Sequence, residues 1–379
     1  MIGSLDLVQL QQIWWVLISV IGGLFLFLNF VQGGQTLLWQ VAKSETEKSL
    51  VLTALGHKWE LTFTTLVLFG GAFFAAFPLF YATSFGGAYW VWICILFTFI
   101  VQAVSYEYRR KKGNFLGART YEFFLLINGS LGILLIGAAV GTFFTGSNFL
   151  LNDYNQVTWT NSLRGLEAAF SLFNLSLGLF LVFNARVLGA MYLVNSIDFA
   201  SLPEFEKRLR RACINNFVWA LPFLLYVLFR LLTIDGHGSD QNGVLSLVAF
   251  KYLQNMLAVP AIPVLLIAGL LLVVWGVVLT SLKSSTKGIW FGGLGTVLVG
   301  LAVFFLAGFN ATAFYPSNVD LQSGLTIYNA SSTHYTLTVM TYVALMIPLV
   351  LAYITYVWKQ MASRKIGVED VSGDNTYYY

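Results

Sequence analysis

The chain has 379 residues, of which 58% are hydrophobic and only 10% are charged. The charged side chains are too few to cover the surface of a soluble globular protein, so this composition excludes that class. It predicts an all-α, polytopic membrane protein. The formal net charge of +4 comes from short connections between apolar stretches. It therefore indicates an orientation in the membrane and does not indicate a nucleic-acid partner.

Nine apolar stretches have the length that a helix needs to cross a hydrocarbon core of roughly 30 Å. In chain order they cover residues 13–32, 61–82, 87–106, 123–144, 166–194, 213–233, 257–282, 289–309 and 337–358. We expect residues 1–379 to form a single integral membrane domain of about nine transmembrane helices, arranged as two four-helix bundles plus one additional helix. Residues 359–379 are expected to form a short cytoplasmic tail.

The basic residues concentrate in every second connection. Of 21 Lys and Arg residues, 17 fall in these connections or in the tail: Lys43, Lys48, Lys58, Arg109, Arg110, Lys111, Lys112, Arg119, Lys207, Arg208, Arg210, Arg211, Lys283, Lys287, Lys359, Arg364 and Lys365. Short connections rich in Lys and Arg stay on the cytoplasmic side of a membrane. The N-terminus is therefore predicted to lie outside and the C-terminus in the cytoplasm.

The seventh predicted span contains Pro260 and Pro263. Each proline removes a backbone donor and bends its helix. Such a span is either a bent packing helix or a broken helix that lines an ion or substrate site. The preceding outer connection, 235–251, contains Gly236, Gly238 and Asn242 and is typical of a flexible loop.

Polar side chains gather at the predicted cytoplasmic ends of the first two spans. Gln32 and Gln35 flank two glycines at the end of the first span, and Trp59 and Glu60 begin the second. Ionisable residues are costly in hydrocarbon and are functional candidates for that reason. Because both groups fall at the same side of the membrane, they could meet there.

Two further carboxyl groups are candidates. Glu107 follows the third span, and Glu122 starts the fourth. A buried carboxyl such as Glu60 or Glu122 can exchange protons, because burial moves its pKa toward the working pH. The structural alternative is a carboxylate at a helix start, which the helix dipole stabilises.

The three histidines do not lie inside the predicted spans, where the axial ligands of a haem would be expected. His57, His237 and His334 fall in connections or at span edges, whereas haem requires axial ligands inside the helices. We expect no haem on this chain alone. Cys94 and Cys213 fall inside predicted spans, where neither a disulfide nor a metal site is expected. No catalytic set of nucleophile, base and orienting group is visible.

Several ordered motifs resemble subunit II of the bacterial cytochrome bd-type quinol oxidases. They are Ile13, Trp14 and Trp15 at the start; Phe74, Ala75, Ala76, Pro78 and Tyr81 in the second span; Glu107, Tyr108 and Arg109 after the third; and Tyr315, Pro316 and Ser317, Leu325 to Tyr328, Ala330 to Thr333 and Leu337 to Thr341 near the end. Each motif is weak by itself, but their order and spacing are specific. The resemblance covers nearly the whole chain.

The resemblance implies an oxidoreductase complex in a bacterial cell membrane. In this family, subunit I carries two b-type haems and a d-type haem, takes electrons from quinol and reduces oxygen to water with four electrons. Subunit II packs against subunit I without a haem of its own. Protons for water come from the cytoplasmic side without pumping. Some members also have a small accessory subunit or a structural quinone in subunit II.

The resemblance assigns one proton-route residue and leaves two positions altered. Trp59 and Glu60 are similar to a Trp-Asp pair that contributes to a cytoplasmic proton route in other members. The same route uses two aspartates where this chain has Gln32 and Gln35. Glutamine can hydrogen-bond to water but cannot release a proton near neutral pH. An arginine of the family is replaced here by Gln102.

Two alternatives remain open on the sequence alone. A secondary transporter would explain Pro260 and Pro263 and the polar residues at span ends, but it should also show inverted repeats and a charged site at mid-membrane. A structural membrane protein without a proton path would make Glu60 a simple helix-start residue.

Overall fold

A computed structural model of the chain describes residues 2–111, 113–361 and 364–371, so that Met1, Lys112 and, in the predicted tail, residues 362, 363 and 372–379 lie outside the described residues. In the described part, nine helical spans are long and apolar enough to cross a membrane: Leu7–Thr36, Glu45–Ala76, Tyr89–Tyr108, Ala118–Thr145, Leu172–Ser196, Pro203–Thr233, Ala261–Ser281, Gly288–Gly308 and His334–Gln360. The predicted all-α membrane fold is confirmed. The division into two four-helix bundles plus one helix stays a prediction.

Most of the chain is helical, and several spans contain more than one helix. The helices are α1 (Leu7–Leu28), α2 (Phe30–Thr36), α3 (Leu38–Val41), α4 (Glu45–Gly56), α5 (Trp59–Ala76), α6 (Pro78–Phe80), α7 (Tyr89–Tyr108), α8 (Ala118–Ile127), α9 (Ile133–Thr145), α10 (Leu172–Ser196), α11 (Pro203–Thr233), α12 (Lys251–Ala258), α13 (Ala261–Ser281), α14 (Gly288–Gly308), α15 (His334–Ala344) and α16 (Ile347–Met361). A π-helical turn, Asn128–Gly132, joins α8 to α9.

Prolines fall at the joints between helices more often than inside them. Pro260 is the N-cap of α13 and Pro263 lies in its first turn, where the missing backbone donor costs little. The pair therefore separates α12 from α13 and does not kink a membrane span. Pro348 stands in the first turn of α16, after the break between α15 and α16 in the ninth span.

Short antiparallel hairpins cover the end opposite the basic connections. The strands are β1 (Phe149–Leu151) with β2 (Val157–Trp159), β3 (Gly236–Ser239) with β4 (Leu245–Val248), and β5 (Ala313–Tyr315) with β6 (Leu325–Thr326). The connection 235–251, predicted as a flexible loop, is thus mostly a hairpin. Single bridges from Ser147 to Ser317 and from Gly238 to Thr312 link the three hairpins.

The connections that carry the basic residues contact one another at one end of the molecule, here called the basic end. Arg208 pairs with Glu47 at 2.6 Å, and the side-chain amide of Asn195 donates to the Thr286 carbonyl at 3.0 Å. The segment after the last span returns to the same end, where the Ile366 N–H donates to the Ser196 carbonyl at 2.9 Å. The charge pattern in the sequence therefore corresponds to one face of the fold.

The last span packs loosely against the rest of the chain. Only 6% of its most apolar stretch is buried, compared with 72% for the span Leu172–Ser196. Its α15 contacts α1 and α5, while α16 is largely exposed. Large exposed apolar side chains on a helix of a membrane protein require a cover of lipid or of another protein.

Candidate functional site: a buried polar stripe at the basic end

Glycines place the two predicted glutamines by allowing direct helix contact. A Cβ atom on Gly33 would lie 1.8 Å from the Ala185 carbonyl oxygen, and one on Gly189 would lie 2.3 Å from the Gly34 nitrogen. Only glycine permits this approach of α2 to α10. Gln32 and Gln35 flank the contact and are almost completely buried. The glycine pair is therefore what fixes their positions.

Two neighbouring helices present polar residues toward α2 at helical spacing. Gln102, Tyr106 and Arg109 are four and three residues apart along α7 and at its end, so they share one face. Glu122 on α8 contacts Arg109, and Asn128 at the end of α8 contacts Gln35 on α2. The three helices together form a polar stripe from the interior of the bundle to the basic end.

The inner part of the stripe is a cluster of amides, here called the amide cluster: Gln32, Gln35, Gln102, Tyr106 and Asn128. The Gln35 side-chain oxygen accepts hydrogen bonds from Gln102 and from the Tyr106 hydroxyl, each at 3.1 Å. The Gln35 amide nitrogen donates to Asn128 Oδ1 at 2.7 Å. Gln32 donates to Gln102 at 3.4 Å. The predicted Gln32 and Gln35 therefore lie in one hydrogen-bonded network.

Two acceptors at the inner edge of this network have no protein partner. Asn29 Oδ1 and Gln32 Oε1 are buried and unpaired among the described residues. Buried polar atoms are nearly always satisfied, so such a pair, three residues apart on one helix, indicates a position for internal water. The amide cluster therefore has an unfilled hydrogen-bonding capacity on its interior side.

The outer part of the stripe is an ion-pair cluster, here called the carboxylate cluster: Glu122, Arg109, Lys48, Glu45 and Trp39. Glu122 is 2% exposed and accepts hydrogen bonds from Arg109 Nε at 3.0 Å, Lys48 Nζ at 3.1 Å and Trp39 Nε1 at 2.6 Å. Glu45, which is largely exposed, pairs with both cations. Two cations thus compensate the buried Glu122 carboxylate.

The structure brings together only part of the predicted set. Trp59 joins through ring stacking on Tyr106, with centroids 6.0 Å apart and planes 13° apart. Glu60 is exposed in the first turn of α5 and faces a groove of about 900 Å³ that the last span borders with Tyr353 and Trp358. Glu60 therefore does not contact the amide cluster within this chain.

Glu107 is also separate from the stripe. Its carboxylate pairs with Lys111 on the protein surface, and both side chains are about half exposed. Glu122 does not lie in the first turn of α8, so it is not the helix-start carboxylate that the sequence suggested. Its partners are side chains from three other segments of the chain.

Sequence reasoning missed Trp39, Lys48, Tyr106 and Asn128 as members of the site. Their individual types are unremarkable near membrane surfaces. The spacing of Gln102, Tyr106 and Arg109 on one helix was a usable signal, because three polar side chains on one face of an apolar helix need partners.

Metal and disulfide chemistry have no counterpart among the described residues. No three His, Cys, Asp or Glu side chains in this part of the chain lie close enough to hold a metal ion, and Cys94 and Cys213 are free thiols. His334 hydrogen-bonds to the Leu5 carbonyl at 2.9 Å, and His237 lies in strand β3. These positions do not fit the axial ligation of a haem inside the bundle.

The fold and the stripe define a class: a multi-pass helical membrane protein with a buried polar network at its basic end and a loosely packed last span. The family model described as cytochrome bd terminal oxidase subunit II matches residues 10–361. The chain belongs to this family, whose members are subunits of an oxidoreductase complex with a partner subunit I.

Individual relatives agree with the family model. The cytochrome bd-I ubiquinol oxidase subunit 2 of Escherichia coli strain K12 is 26% identical, over 99% of this chain and 100% of that protein. A probable cytochrome oxidase subunit 2 of Haemophilus influenzae is 32% identical over 44% of this chain and 45% of its own length. The bd oxidase structure from Geobacillus thermodenitrificans shares the fold, with a TM-score of 0.64 at 14% identity over 94% of this chain and 99% of that one.

Proposed function

We propose that this chain supports a haem-bearing subunit I that oxidises quinol and reduces oxygen to water. The chain supplies the second helical bundle and lines a proton-uptake route from the basic end, and it contributes no catalytic residue. The family match over residues 10–361 carries this proposal. The family match also favours an oxidase subunit over a secondary transporter. The prolines that had left a transporter open stand at helix starts.

The b-type and d-type haems of the complex belong to the partner in this proposal. The described histidines lie in a strand, in a helix joint and at a helix start, so they do not fit haem ligation. When bound in the partner, the haems supply the electron transfer and oxygen chemistry. No step of that chemistry is assigned to residues of this chain.

The partner covers the face that carries Glu60 and the last span. This face combines an exposed carboxyl with a span that is only 6% buried by its own chain. A carboxyl facing pure lipid is unfavourable, whereas one enclosed between two proteins can be hydrated and can exchange protons. The groove of about 900 Å³ beside Glu60 leaves room for such an enclosure.

Protons enter at the basic end, which is the cytoplasmic end by the charge rule. The N-terminus then lies outside and the tail in the cytoplasm. Glu60 is the group that accepts and releases a proton. The amide cluster orients water in the buried part of the route, because Gln32, Gln35 and Gln102 can hydrogen-bond to water but cannot themselves ionise. Trp59, stacked on Tyr106, connects the Glu60 turn with the amide cluster.

Glu107 and Glu122 have lesser parts in this route. Glu107 lies on the surface with Lys111 and can collect protons there. Glu122 is held by Arg109, Lys48 and Trp39, so its contribution is to hold the start of the stripe together. The route thus depends most on Glu60.

Replacing Glu60 tests this route. We expect Glu60→Gln to slow oxygen consumption by the assembled complex about tenfold or more, since loss of a proton-transfer group costs one or more orders of magnitude. The haem spectrum should stay unchanged. Glu60→Asp retains a carboxyl and should keep most of the turnover.

The matched control is Glu204→Gln, because Glu204 is a surface carboxylate 72% exposed near the basic end. It should leave turnover unchanged. Normal turnover of Glu60→Gln across the pH range would remove Glu60 from the route and favour a purely structural chain.

In this proposal, the structural quinone that the resemblance implies occupies a partly open apolar pocket. The pocket has a volume of about 500 Å³ and is lined almost entirely by apolar side chains, including Phe69, Phe85 and Phe143. The Trp92 indole N–H at its wall is buried without a partner in the described chain. A quinone carbonyl would accept from this donor, and the apolar walls suit a hydrophobic ring.

The quinone content of the purified complex tests this assignment. We expect Trp92→Phe, which keeps the ring stacking on Phe85 but removes the donor, to lower the amount of retained quinone. Equal quinone content in both proteins would contradict the assignment of this cavity.

A further inference from the structure

A second cleft at the basic end combines cations, hydrogen-bonding groups and aromatic rings. It has a volume of about 550 Å³, and its lining is drawn from α1, α10, α14, α16, the joint between α4 and α5, and the segment after the last span. Four basic side chains face it: His57, Lys58, Arg364 and Lys365. None of its described lining residues is acidic.

Lys58 shows that the cleft is built into the protein and is not merely a charged surface. Lys58 is only 3% exposed, and its ammonium group lies 4.5 Å from the centre of the Trp358 ring. Trp358 contributes the ring's attraction for a cation and closes the cleft on one side.

The segment after the last span is fixed in place and supplies the other two strong cations. The Ile366 N–H donates to the Ser196 carbonyl, and the Ile366 carbonyl accepts from the Asp198 N–H, both at 2.9 Å. Ile366 also packs against the apolar core of the basic end. Arg364 and Lys365 are therefore held at the cleft mouth. Arg364 is 73% exposed and pairs with Asp370 at 3.2 Å, so its positive charge is partly compensated by this carboxylate.

Neutral donors and aromatic surfaces complete the lining. Asn195 and Ser196 at the end of α10 are half-buried, and Trp290 in the first turn of α14 is 53% exposed. Tryptophans at helix ends mark the level of the lipid headgroups. A cleft of this kind, between helix ends and open at that level, has the chemistry that recognises a phosphate group attached to a lipid.

We infer that this cleft binds the headgroup phosphate of an anionic phospholipid, with Lys58, Arg364 and Lys365 as the cationic contacts. A phosphate diester carries the negative charge that these cations favour, and its acyl chains would extend into the lipid that surrounds the complex. The inference is independent of the oxidase function, since it concerns the lipid that surrounds any such bundle.

The test uses the complete complex purified in a non-ionic detergent and stripped of lipid. Binding of phosphatidylglycerol, phosphatidylcholine and inorganic phosphate is measured separately by native mass spectrometry and by competition. The variant Arg364→Gln/Lys365→Gln removes two exposed cations without touching the core. We expect it to weaken phosphatidylglycerol binding about thirtyfold, from the usual effect of two basic residues at an anionic lipid.

Two further variants distinguish a specific lipid site from a general effect of positive charge on lipid binding. Arg119→Gln/Arg211→Gln removes the same charge from exposed arginines that do not line the cleft and should change binding less than about twofold. Arg364→Lys/Lys365→Arg keeps the charge and should keep the affinity. An equal loss in the Arg119/Arg211 variant, or equal binding of phosphatidylcholine, would overturn the inference.

Competition with inorganic phosphate shows whether the cleft binds a lipid headgroup phosphate or a free phosphate ion. We expect millimolar phosphate to compete weakly, because it lacks the apolar contacts of the lipid. If phosphate alone binds as tightly as phosphatidylglycerol and with the same dependence on Arg364 and Lys365, the ligand is a free anion and the lipid assignment is wrong. None of these outcomes bears on oxygen reduction. The proposed function is tested separately, by the turnover of the Glu60→Gln variant.

Discussion

At the scale of single residues, Glu122 shows how a functional candidate can be a structural hub. It was a candidate because it is an acidic residue at the edge of an apolar span. In the structure, its carboxylate is 2% exposed and lies between Arg109, Lys48 and the Trp39 indole. A buried carboxylate with this many donors is compensated where it stands, and removing it leaves Arg109 buried without its main partner.

Glu122→Gln should therefore destabilise the complex while sparing the chemistry. We expect a loss of about 3–5 kcal/mol, as for other broken buried ion pairs, seen as a drop of several degrees in the thermal midpoint. Turnover per assembled haem should stay near normal. The surface pair of Glu204 and Lys207, with both side chains 72% exposed, provides the control, and Glu204→Gln should shift the midpoint very little.

A different result would reassign Glu122. An unchanged thermal midpoint together with slow turnover per haem would place it in the proton route and not in the framework of the stripe. The measurement requires both quantities, because a loss of total activity follows from either role.

Residue types predicted part of the site. Gln32, Gln35, Glu60 and Glu122 were found because polar groups at the ends of apolar spans are rare, and the family motif then added weight to Trp59 and Glu60. Tyr106, Asn128 and Lys48 were missed, because their roles come from contacts between segments that are far apart in the chain. Glu60 was expected to be buried, but it is exposed in the first turn of α5.

At the scale of elements, the position of the stripe depends on the contact between α2 and α10. Gly33 and Gly34 face Ala185 and Gly189 with backbone against backbone. The adjacent Gly129 also lies against span 1, where a Cβ would be 2.2 Å from the Gln32 carbonyl oxygen. The amide cluster has its geometry because three helix surfaces without side chains meet beside it.

Gly33→Ala should break this contact. The added methyl would lie 1.8 Å from the Ala185 carbonyl oxygen, so α2 and α10 must separate. We expect little assembled complex and a lower thermal midpoint in what remains. Gly71→Ala is the matched control, because nothing in the chain lies within 4 Å of its new Cβ and alanine favours the helix. Equal yield and midpoint for the two variants would show that the contact is not required.

Helix positions were predictable from the sequence, whereas helix ends and joints were not. All nine spans lie where apolar length indicated, because a span must be about 20 residues long to cross hydrocarbon. The helix of the sixth span, α11, begins at Pro203 and so includes Lys207 to Arg211, which the sequence had assigned to a connection. Charged residues can continue a helix beyond the membrane, so hydropathy alone does not mark where it begins.

At the scale of the whole molecule, the chain leaves a large face uncovered. The last span and Glu60 lie on that face, and the polar stripe lies directly behind the Glu60 turn. The charge pattern correctly predicted that the basic connections share one end. The sequence indicated a partner only through the family motifs, since no local pattern distinguishes a helix face that meets protein from one that meets lipid.

The most direct measurement is to purify this chain through an affinity tag from its native membranes, identify the chains that accompany it and record the visible spectrum. We expect a second, haem-bearing chain, b-type and d-type haem absorption, and oxygen consumption that depends on quinol. The tagged chain expressed without its partner should show no haem absorption. A chain that is purified alone from native membranes, or that binds haem tightly by itself, would contradict the account.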